Sequence, residues 1–359
     1  MKYFWYYYFF IRSFYYLFTL FFVGDITQLG DNARYLAANK FRVVLTGDVS
    51  TSIVDSIGYL FSIFKFPVLQ NFSFFLFSFL IIKWAVEELQ LKNKINNLFL
   101  LLLLSTPSFC IWTSVLGKEV FGLFASAVIG VLFANFFVGD FKVSFRDMLA
   151  FVILLIFKKH YMPFIFEGLF LIWLYHKFKL NNAMTFMIGF VIIVSQLVLL
   201  YYIQETVDYF AMQMYEHFAG GNSTRDNIFV EEGDFFRYLP YSMFIAFWGP
   251  TVSEMKNSPL HFLTACESLL ILFATIKLLT PFLLMSFTNC KKYCLYLMVL
   301  FITVGGILFI HAPFGVFNPG SAIRYRTNFI FLFLLLFMQF YIYFKDTSLI
   351  HSPILSNKH

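Results

Sequence analysis

Long apolar runs alternate with short polar segments along the whole chain. A run of about 20 apolar residues is long enough to cross the hydrocarbon core of a bilayer as a helix. The runs predict about ten helices, at 3–23, 71–88, 98–116, 120–138, 147–160, 161–176, 183–203, 260–287, 294–312 and 324–344. The period-two alternation typical of strands is absent, so the pattern predicts an all-α, polytopic membrane protein.

Three regions differ from ordinary single crossings. The predicted helices at 147–160 and 161–176 are short, so the pair forms either two crossings or a re-entrant hairpin. The run at 260–287 is long enough to tilt strongly in the membrane. The segment "YSMFIAFWGP" (241–250) is also apolar, and it either stays in the loop or dips into the membrane without crossing.

Two polar segments are longer than turns, 24–70 and 204–240. The first contains "STSIVDSIGYLFSIFKFP", in which five apolar residues share one helical face: Ile53, Ile57, Leu60, Phe61 and Phe64. This spacing predicts an amphipathic helix in the membrane interface, with Ser52 and Asp55 as a capping pair at its start. Because the chain has no internal repeat and no linker, it is predicted to form one membrane domain over 1–359.

The amino-acid composition also indicates a membrane protein. The chain is 60% hydrophobic and 13% charged, with a mean hydropathy of +0.75, whereas soluble domains have about 25% charged residues. These values exclude an ordinary soluble domain, and no nucleic-acid partner is expected. The first apolar run lacks a cleavage site and is interpreted as an uncleaved helix. The four cysteines lie in apolar segments or beside lysines, so no metal site and no cofactor are expected.

The basic residues indicate an orientation. With ten spans and an inner N-terminus, the inner loops and tail hold Lys92, Lys94, Lys142, Arg146, Lys177, Lys179, Lys291, Lys292, Lys345 and Lys358. Both sides of the membrane carry comparable numbers of basic residues. The inner ones lie in short loops close to helix ends, where the positive-inside rule is strongest. This orientation places 24–70 and 204–240 outside.

Ionisable residues then gather at the outer turns. They are Asp31 and Arg34 in "GDNARY"; Lys118 and Glu119; Lys158, Lys159 and His160 in "FKKHYMP"; Asp226, Glu231, Glu232, Asp234, Arg237 and Glu254; and Arg324 and Arg326 in "NPGSAIRYRTNF". Ionisable groups at membrane depth cost free energy and tend to be functional. An ordinary explanation also exists for each group, because charged residues often mark interfacial turns, caps and solvated loops.

The residue types suit a phosphorylated substrate. Arg and Lys bind phosphate groups, so five basic residues are candidates for a pyrophosphate site: Arg34, Lys118, Arg237, Arg324 and Arg326. Four further residues are candidate bases for activating a hydroxyl: Asp31, Glu119, His160 and Glu254. We interpret Asp31 as the preferred base. Glu119 lies beside Lys118 at a predicted helix start, where the dipole favours an anion, and is interpreted as the organiser of the basic cluster.

Several of these segments resemble a known group of proteins. "PSFCIWTSVLGKE" resembles the Pro-Ser-x3-Trp-x-Ser-x3-Lys-Glu segment of bacterial polysaccharide-cluster membrane proteins, which include Wzy-type O-antigen and capsule polymerases. "FRYLPYSMFIAFWGPTVSE" and "RYR" are similar to later segments of that group. "GDNARY" is similar in position to the acidic first-loop motif of GT-C glycosyltransferases, although Asn32 follows Asp31 where that motif often has a second acid.

The resemblance implies block polymerisation in the bacterial inner membrane. A glycan on undecaprenyl pyrophosphate would be transferred to a new lipid-linked repeat unit at the periplasmic face, with membrane lipid and a chain-length regulator protein as further partners. A GT-C glycosyltransferase that uses a polyprenyl-phosphate sugar is the first alternative. A flippase for the lipid-linked unit is the second, although transporters usually show repeated halves and helices broken near the midplane.

Overall fold

The computed structural model describes residues 3–23, 31–41, 43–44, 48–218, 225, 231, 233–256, 259–288 and 290–350. Parts of both predicted outer loops lie outside this set, including Asp226 and Glu232, and so does Lys358. All regular structure in the described residues is helical, as the apolar runs predict.

The first half of the chain contains α1 (Phe4–Phe18), a π-helical turn (Thr19–Val23), α2 (Asn32–Leu36), α3 (Val49–Phe61), α4 (Pro67–Glu88), α5 (Leu91–Lys94), α6 (Asn97–Leu104), α7 (Pro107–Trp112), α8 (Lys118–Phe137), α9 (Phe145–Lys158), a 3₁₀ turn (Lys159–Tyr161) and α10 (Met162–Lys177).

The second half contains α11 (Asn182–Tyr202), α12 (Gln204–Phe218), α13 (Asp234–Arg237), α14 (Leu239–Trp248), a 3₁₀ turn (Glu254–Lys256), α15 (Pro259–Thr288), α16 (Cys290–Val299), a π-helical segment (Leu300–Gly305), α17 (Gly306–Gly315), α18 (Pro319–Arg326) and α19 (Ile330–Ile350).

Within the described residues, six helical segments are long and apolar enough to cross a membrane, and seven if the bent pair α18–α19 counts as one. The six are Pro67–Glu88, Lys118–Phe137, Phe145–Lys177, Asn182–Tyr202, His261–Ser286 and Tyr293–Gly315. The chain is therefore a multi-pass membrane protein.

The segment Phe145–Lys177 folds back on itself. The rings of Phe151 and Phe166 stack with centroids 4.7 Å apart, whereas residues 15 positions apart on a straight helix are roughly 22 Å apart. The rings of Phe141 and His176 also meet, at 5.6 Å. The arms α9 and α10 are therefore antiparallel, and the 3₁₀ turn that carries His160 forms the tip of their connection, an arrangement that both predicted alternatives share.

The predicted helix 98–116 is wrong as one continuous element. It breaks before Pro107, whose ring cannot follow a helical residue without a clash, and Thr106 is accordingly extended (φ −60°, ψ 134°). After Trp112 the backbone leaves the helix. Distant side chains replace its helical hydrogen bonds: Leu116 N donates to Asn71 Oδ1 (2.8 Å), and Leu116 O accepts from Asn32 Nδ2 (2.8 Å). Irregular backbone is tolerated at membrane depth where protein groups satisfy it in this way.

Helix α8 lies at the centre of the bundle, and 16 of its 20 residues are buried. It packs against α4, α9 and α19. Two of its glycines permit close approach to the last helix and the turn before it. A Cβ on Gly130 would lie 2.6 Å from Leu335 Cδ1, and one on Gly122 would lie 2.5 Å from Asn328 Oδ1.

The predicted amphipathic helix is present as α3, but its predicted cap is wrong. Asp48 caps the helix by accepting from Thr51 N (3.0 Å), because the helix begins before Ser52. Val54 is buried against Leu116 and Val120, whereas Leu60 is 57% exposed. One face of α3 therefore packs on the protein, and its exposed apolar residues, Tyr59 and Leu60, lie in its last turn.

The segment 204–240 differs from an irregular loop, because α12, α13 and the first two residues of α14 lie in it. Helix α14 has ten residues, or about 15 Å, which is too short to cross a bilayer. The predicted last helix, 324–344, begins later than expected. It is preceded by α18, and the two axes meet at 58°.

The two ends of the bundle differ in charge. At one end, Lys92 lies over Trp5, Arg146 over Trp84 and Lys177 over Trp173, at 5.4, 3.9 and 4.4 Å from the ring centroids. We call this the basic end. The other, termed the site end, carries Asp31, Lys118, Glu119 and Arg324. The 20 residues of α8 separate the two by roughly 30 Å.

Candidate functional site

Arg324 joins three distant parts of the chain at the site end. Its Nε donates to Glu119 Oε1 at 2.6 Å, and its Nη2 lies 3.8 Å from Asp31 Oδ2. The guanidinium also lies 5.3 Å from the ring centroid of Trp112. The side chain of Glu119 is 3% exposed, that of Arg324 17% and that of Asp31 42%. A buried carboxylate thus fixes the Arg, and an accessible carboxylate lies beside it.

The local sequence explains the position of Glu119. It lies in the first turn of α8, where the helix dipole stabilises a negative charge. Gly117 precedes the helix, and a Cβ there would lie 2.5 Å from Glu119 Oε2. The absence of a side chain at position 117 therefore allows the carboxylate to fold back over the helix start.

Weaker ion pairs surround this centre. Lys118 Nζ lies 3.2 Å from Asp48 Oδ2, and Arg34 lies 3.8 Å from Asp31 and 3.7 Å from Asp55. Exposed pairs of this kind contribute little to stability. Partial burial alone would raise the pKa of Asp48, but hydrogen bonds from Ser50 and Thr51, together with the Lys118 ammonium, hold it well below its usual range.

The hairpin tip brings two further groups toward the site end. Lys158 is buried, with Nζ 5.2 Å from the centroid of the Tyr325 ring. His160 is half-buried, and its ring stacks on Phe314 at 5.2 Å. His160 thus packs among aromatic rings, and it forms no ion pair with Asp31 or Glu119 within the described part of the chain.

Arg326 is separated from Arg324, contrary to the predicted convergence. Two residues on a helix are about 200° apart around its axis, so the two guanidinium groups point in opposite directions. Arg326 Nη2 pairs with Glu267 Oε1 at 2.8 Å, and Nη1 donates to Ser268 Oγ (2.8 Å) and Phe247 O (2.9 Å). Both partners of this pair are at most 2% exposed. Arg326 is therefore part of the core.

Two other predicted residues also lie in different surroundings. Arg237 is exposed on α13, with its guanidinium 5.4 Å from the centroid of the Tyr238 ring. Glu254 Oε1 accepts from Arg225 Nε at 2.5 Å, and Arg225 also donates to Val316 O. Burial alone would raise the pKa of Glu254, but Arg225 and Thr251 outweigh it and lower that pKa. Glu254 therefore anchors its segment to the end of α17.

The sequence reasoning missed Arg12, which is fully buried in α1. Its Nη2 donates to Ser78 Oγ (2.6 Å), Thr113 O (3.2 Å) and Ser114 Oγ (3.0 Å). Arg12 thereby holds the non-helical backbone that leads to Lys118 and Glu119. The signal was available in "FFIRSFYY", because a lone Arg inside an apolar run is expensive and tends to have a specific role.

Glu267 was missed in the same way. Besides pairing with Arg326, it accepts from Ser108 N (2.8 Å) and from Ser108 Oγ. A carboxylate therefore lies at the N-terminus of α7 and a guanidinium, Arg12, at its C-terminus. Both charges complement the dipole of this short helix. The segment "PSFCIWTSVLGKE" is thus held at both ends, with Trp112 packed under Arg324.

Comparisons with known proteins identify no relative. No family model matches the chain, and neither a curated protein nor a solved structure matches it. Within the described residues, no three His, Cys, Asp or Glu side chains are grouped so that they could hold a metal ion.

Proposed function

We propose that this protein is a membrane glycosyltransferase that polymerises oligosaccharide repeat units linked to undecaprenyl pyrophosphate. The observation that supports this most is the placement of Arg324 between buried Glu119 and accessible Asp31. A cation that can stabilise a phosphate leaving group lies beside a carboxylate that can take a proton. Both groups lie at the end of a membrane bundle, where a lipid-linked substrate presents its head group.

The proposed reaction assigns a role to each of these groups. A sugar hydroxyl at the nonreducing end of one repeat unit attacks the anomeric carbon of the growing glycan. The bond from that carbon to the pyrophosphate oxygen breaks, and the electron pair leaves with the lipid pyrophosphate. Asp31 takes the proton of the attacking hydroxyl, and Arg324 stabilises the departing negative charge, with Lys118 and Arg34 as further cations. Glu119 keeps Arg324 oriented.

The proposed topology has ten crossings. The six segments found by length and composition become seven when α9 and α10 count separately, and eight with the bent pair α18–α19. The helix Phe4–Val23, including its π-helical turn, and the broken segment α6–α7 bring the number to ten. In this arrangement, the basic end faces the cytoplasm and the site end faces the periplasm, in accord with the positive-inside rule. The exposed last turn of α3 rests in the outer interface.

Two alternative functions remain. A glycosyltransferase with a polyprenyl-monophosphate sugar donor would use the same groups, with a monophosphate as the leaving group. A lipid-linked glycan transporter is favoured by one specific observation, the break between α6 and α8, because transporters often contain discontinuous helices that surround a binding site.

Deletion of the gene separates these functions. Loss of the polymer ladder on a gel, with single repeat units still attached to the glycan acceptor, is the result expected for a polymerase. Loss of all modified glycan would indicate an earlier glycosyltransferase or a flippase and would contradict the polymerase function. Complementation with the intact gene is the control.

Cysteine labelling tests the orientation. We expect an impermeant maleimide to label Val252→Cys, but not Asn93→Cys, on intact cells, because Val252 lies near the site end and Asn93 near the basic end. Val252 is 74% exposed and Asn93 is also exposed, so both positions can react. The background for both variants should lack the four native cysteines.

Permeabilised cells provide the control, since both variants should react there. Labelling of Asn93→Cys alone on intact cells would show that the orientation is reversed.

A further inference from the structure

Glu167, on α10, carries a carboxyl group inside the membrane that the proposed reaction does not use. Its partner is Gln196 on α11, whose Nε2 donates to Glu167 Oε2. Helix α11 has 21 residues and is about 30 Å long, so it can span the hydrocarbon core. Gln196 is six residues, or about 9 Å, from the end of α11 at Tyr202. The carboxyl group of Glu167 therefore lies below the interface, at the depth of the acyl chains.

This carboxyl group has no cation to balance a negative charge. Glu167 forms no ion pair within the described residues. Glu267 also lies inside a membrane-capable helix, α15, but it is paired with Arg326. An unpaired carboxylate in an apolar medium has a large free-energy cost, and such a group takes up a proton and becomes neutral. Ionisable residues at this depth are rare and tend to be functional.

The elements that pack against this part of α10 add no cation. Neither α11 nor the π-helical segment Leu300–Gly305 contains an Asp, Glu, Lys, Arg or His residue. The π-helical segment contacts α10 through Thr303 Oγ1, which donates to Phe164 O (3.2 Å). His311 of the next helix, α17, lies against Ala246 O instead, at 3.1 Å. The other acidic and basic residues of α8, α9, α10, α16 and the 3₁₀ turn lie near helix ends: Lys118, Glu119, Arg146, Asp147, Lys158, Lys159, His160, His176, Lys177, Lys291 and Lys292.

We propose that Glu167 binds a proton within the membrane and holds it as a neutral carboxylic acid, hydrogen-bonded to Gln196 and accessible from the lipid. Gln196 donates to Oε2, and Oε1 has no hydrogen-bond partner in the part of the chain that the structure describes, so Oε1 can carry the proton. Both side chains are half-buried, and the neighbouring Phe166 and Phe170 are exposed. This side of α10 therefore faces acyl chains. A neutral Glu167 lets α10 and α11 cross the hydrocarbon core side by side without a counter-ion.

A protonated carboxyl group in apolar surroundings reacts with a lipid-soluble carbodiimide. The acid proton passes to one carbodiimide nitrogen, and the carboxyl oxygen bonds to the central carbon. The acyl group then moves from that oxygen to a nitrogen, which gives a stable N-acylurea without a leaving group. A carboxylate that is paired with an Arg has no proton to transfer. Glu119 and Glu267, which pair with Arg324 and Arg326, should therefore not react.

Chemical labelling of the purified wild-type protein in lipid nanodiscs tests the proposal and needs no substitution that could impair folding. The probe is dicyclohexylcarbodiimide at neutral pH, and mass spectrometry of peptides locates the adduct. We expect the adduct on Glu167 and none on Glu267. A charged, water-soluble carbodiimide should modify the exposed Glu205, which is the internal control, and should leave Glu167 unmodified.

Infrared spectroscopy detects the proton directly, because the C=O stretch of a carboxylic acid is separate from those of carboxylates and amides. The wild-type protein should show this band at neutral pH. Glu167→Gln should remove it, whereas the matched control Glu205→Gln should keep it. An unmodified Glu167 after treatment with dicyclohexylcarbodiimide, or an acid band that Glu167→Gln leaves unchanged, would overturn the inference. Neither measurement involves glycan polymerisation, so the outcome is independent of the proposed function.

Discussion

Glu267→Ala is expected to destabilise the protein by about 3–5 kcal/mol, because it leaves the buried Arg326 guanidinium without its counter-ion. Arg326 is 1% exposed and cannot turn toward water. Ser108 loses its acceptor in the same variant, so α7 is released at its N-terminus as well. Reversible unfolding of the purified protein in mixed micelles measures the loss as a shift of the unfolding midpoint.

Two further variants show whether the loss of stability comes from the unpaired charge of Arg326. Glu205→Ala removes an exposed carboxylate and should leave the midpoint unchanged. The double variant Glu267→Gln with Arg326→Met removes both charges and should recover part of the loss, because no buried charge then remains unpaired. If Glu267→Ala unfolds like Glu205→Ala, the buried pair does not have the role described here.

Asp31→Asn is expected to lower glycan polymerisation roughly 100-fold or more at a normal protein level, since a general base of this kind contributes on that order. The amide keeps the size of the side chain but cannot take the proton of the attacking hydroxyl. Arg324→Lys should impair the reaction for a different reason. A Lys keeps the charge, but it cannot contact Glu119 and the ligand with the fixed fork of a guanidinium. Glycan chain length on gels measures both effects.

Arg34→Lys is the matched control for Arg324→Lys. Arg34 is assigned only a supporting positive charge, which Lys keeps, and its ion pairs are long and its side chain is 52% exposed, so the change should have little effect. Wild-type chain length in the Asp31→Asn strain would remove Asp31 from the mechanism. His160→Ala would then be the next variant to examine, although the ring of His160 lies against Phe314.

The helices that the sequence predicts well are those with uninterrupted apolar runs. Lys118–Phe137 and Asn182–Tyr202 lie within two residues of their predicted bounds, since polar residues mark both ends. The run 98–116 looked equally helical. Its break depends on Pro107 and on side chains far away in the sequence, such as Asn71 and Asn32, which no local pattern reveals.

The candidate site was predictable in part. Topology alone placed Asp31, Glu119 and Arg324 at one face, and the structure adds that Arg324 contacts both acids. The helical period separates Arg326 from Arg324 because both residues lie within α18. The sequence placed them in an outer turn, so this separation could not be predicted from it. Arg12 and Glu267 were not predicted as site residues because they lie inside apolar runs, where no turn or charge cluster marks them.

The Lys118–Glu119 pair shows how neighbouring charges differ in role. Glu119 turns into the bundle and holds Arg324, and Lys118 remains nearer the surface, beside Asp48. An ordinary interfacial turn would leave both side chains in water. The burial of Glu119 at 3% side-chain exposure is therefore the feature that favours a functional role for this turn.

Reconstitution with the natural substrate tests the central claim most directly. The deletion strain should accumulate the lipid-linked single repeat unit, which can be extracted and mixed with the purified protein in vesicles. We predict that the wild-type protein converts it to a ladder of longer glycans and releases undecaprenyl pyrophosphate, and that the Asp31→Asn protein does neither. A wild-type protein that leaves the single repeat unit unchanged, while remaining folded and bound to it, would contradict the assignment as a polymerase.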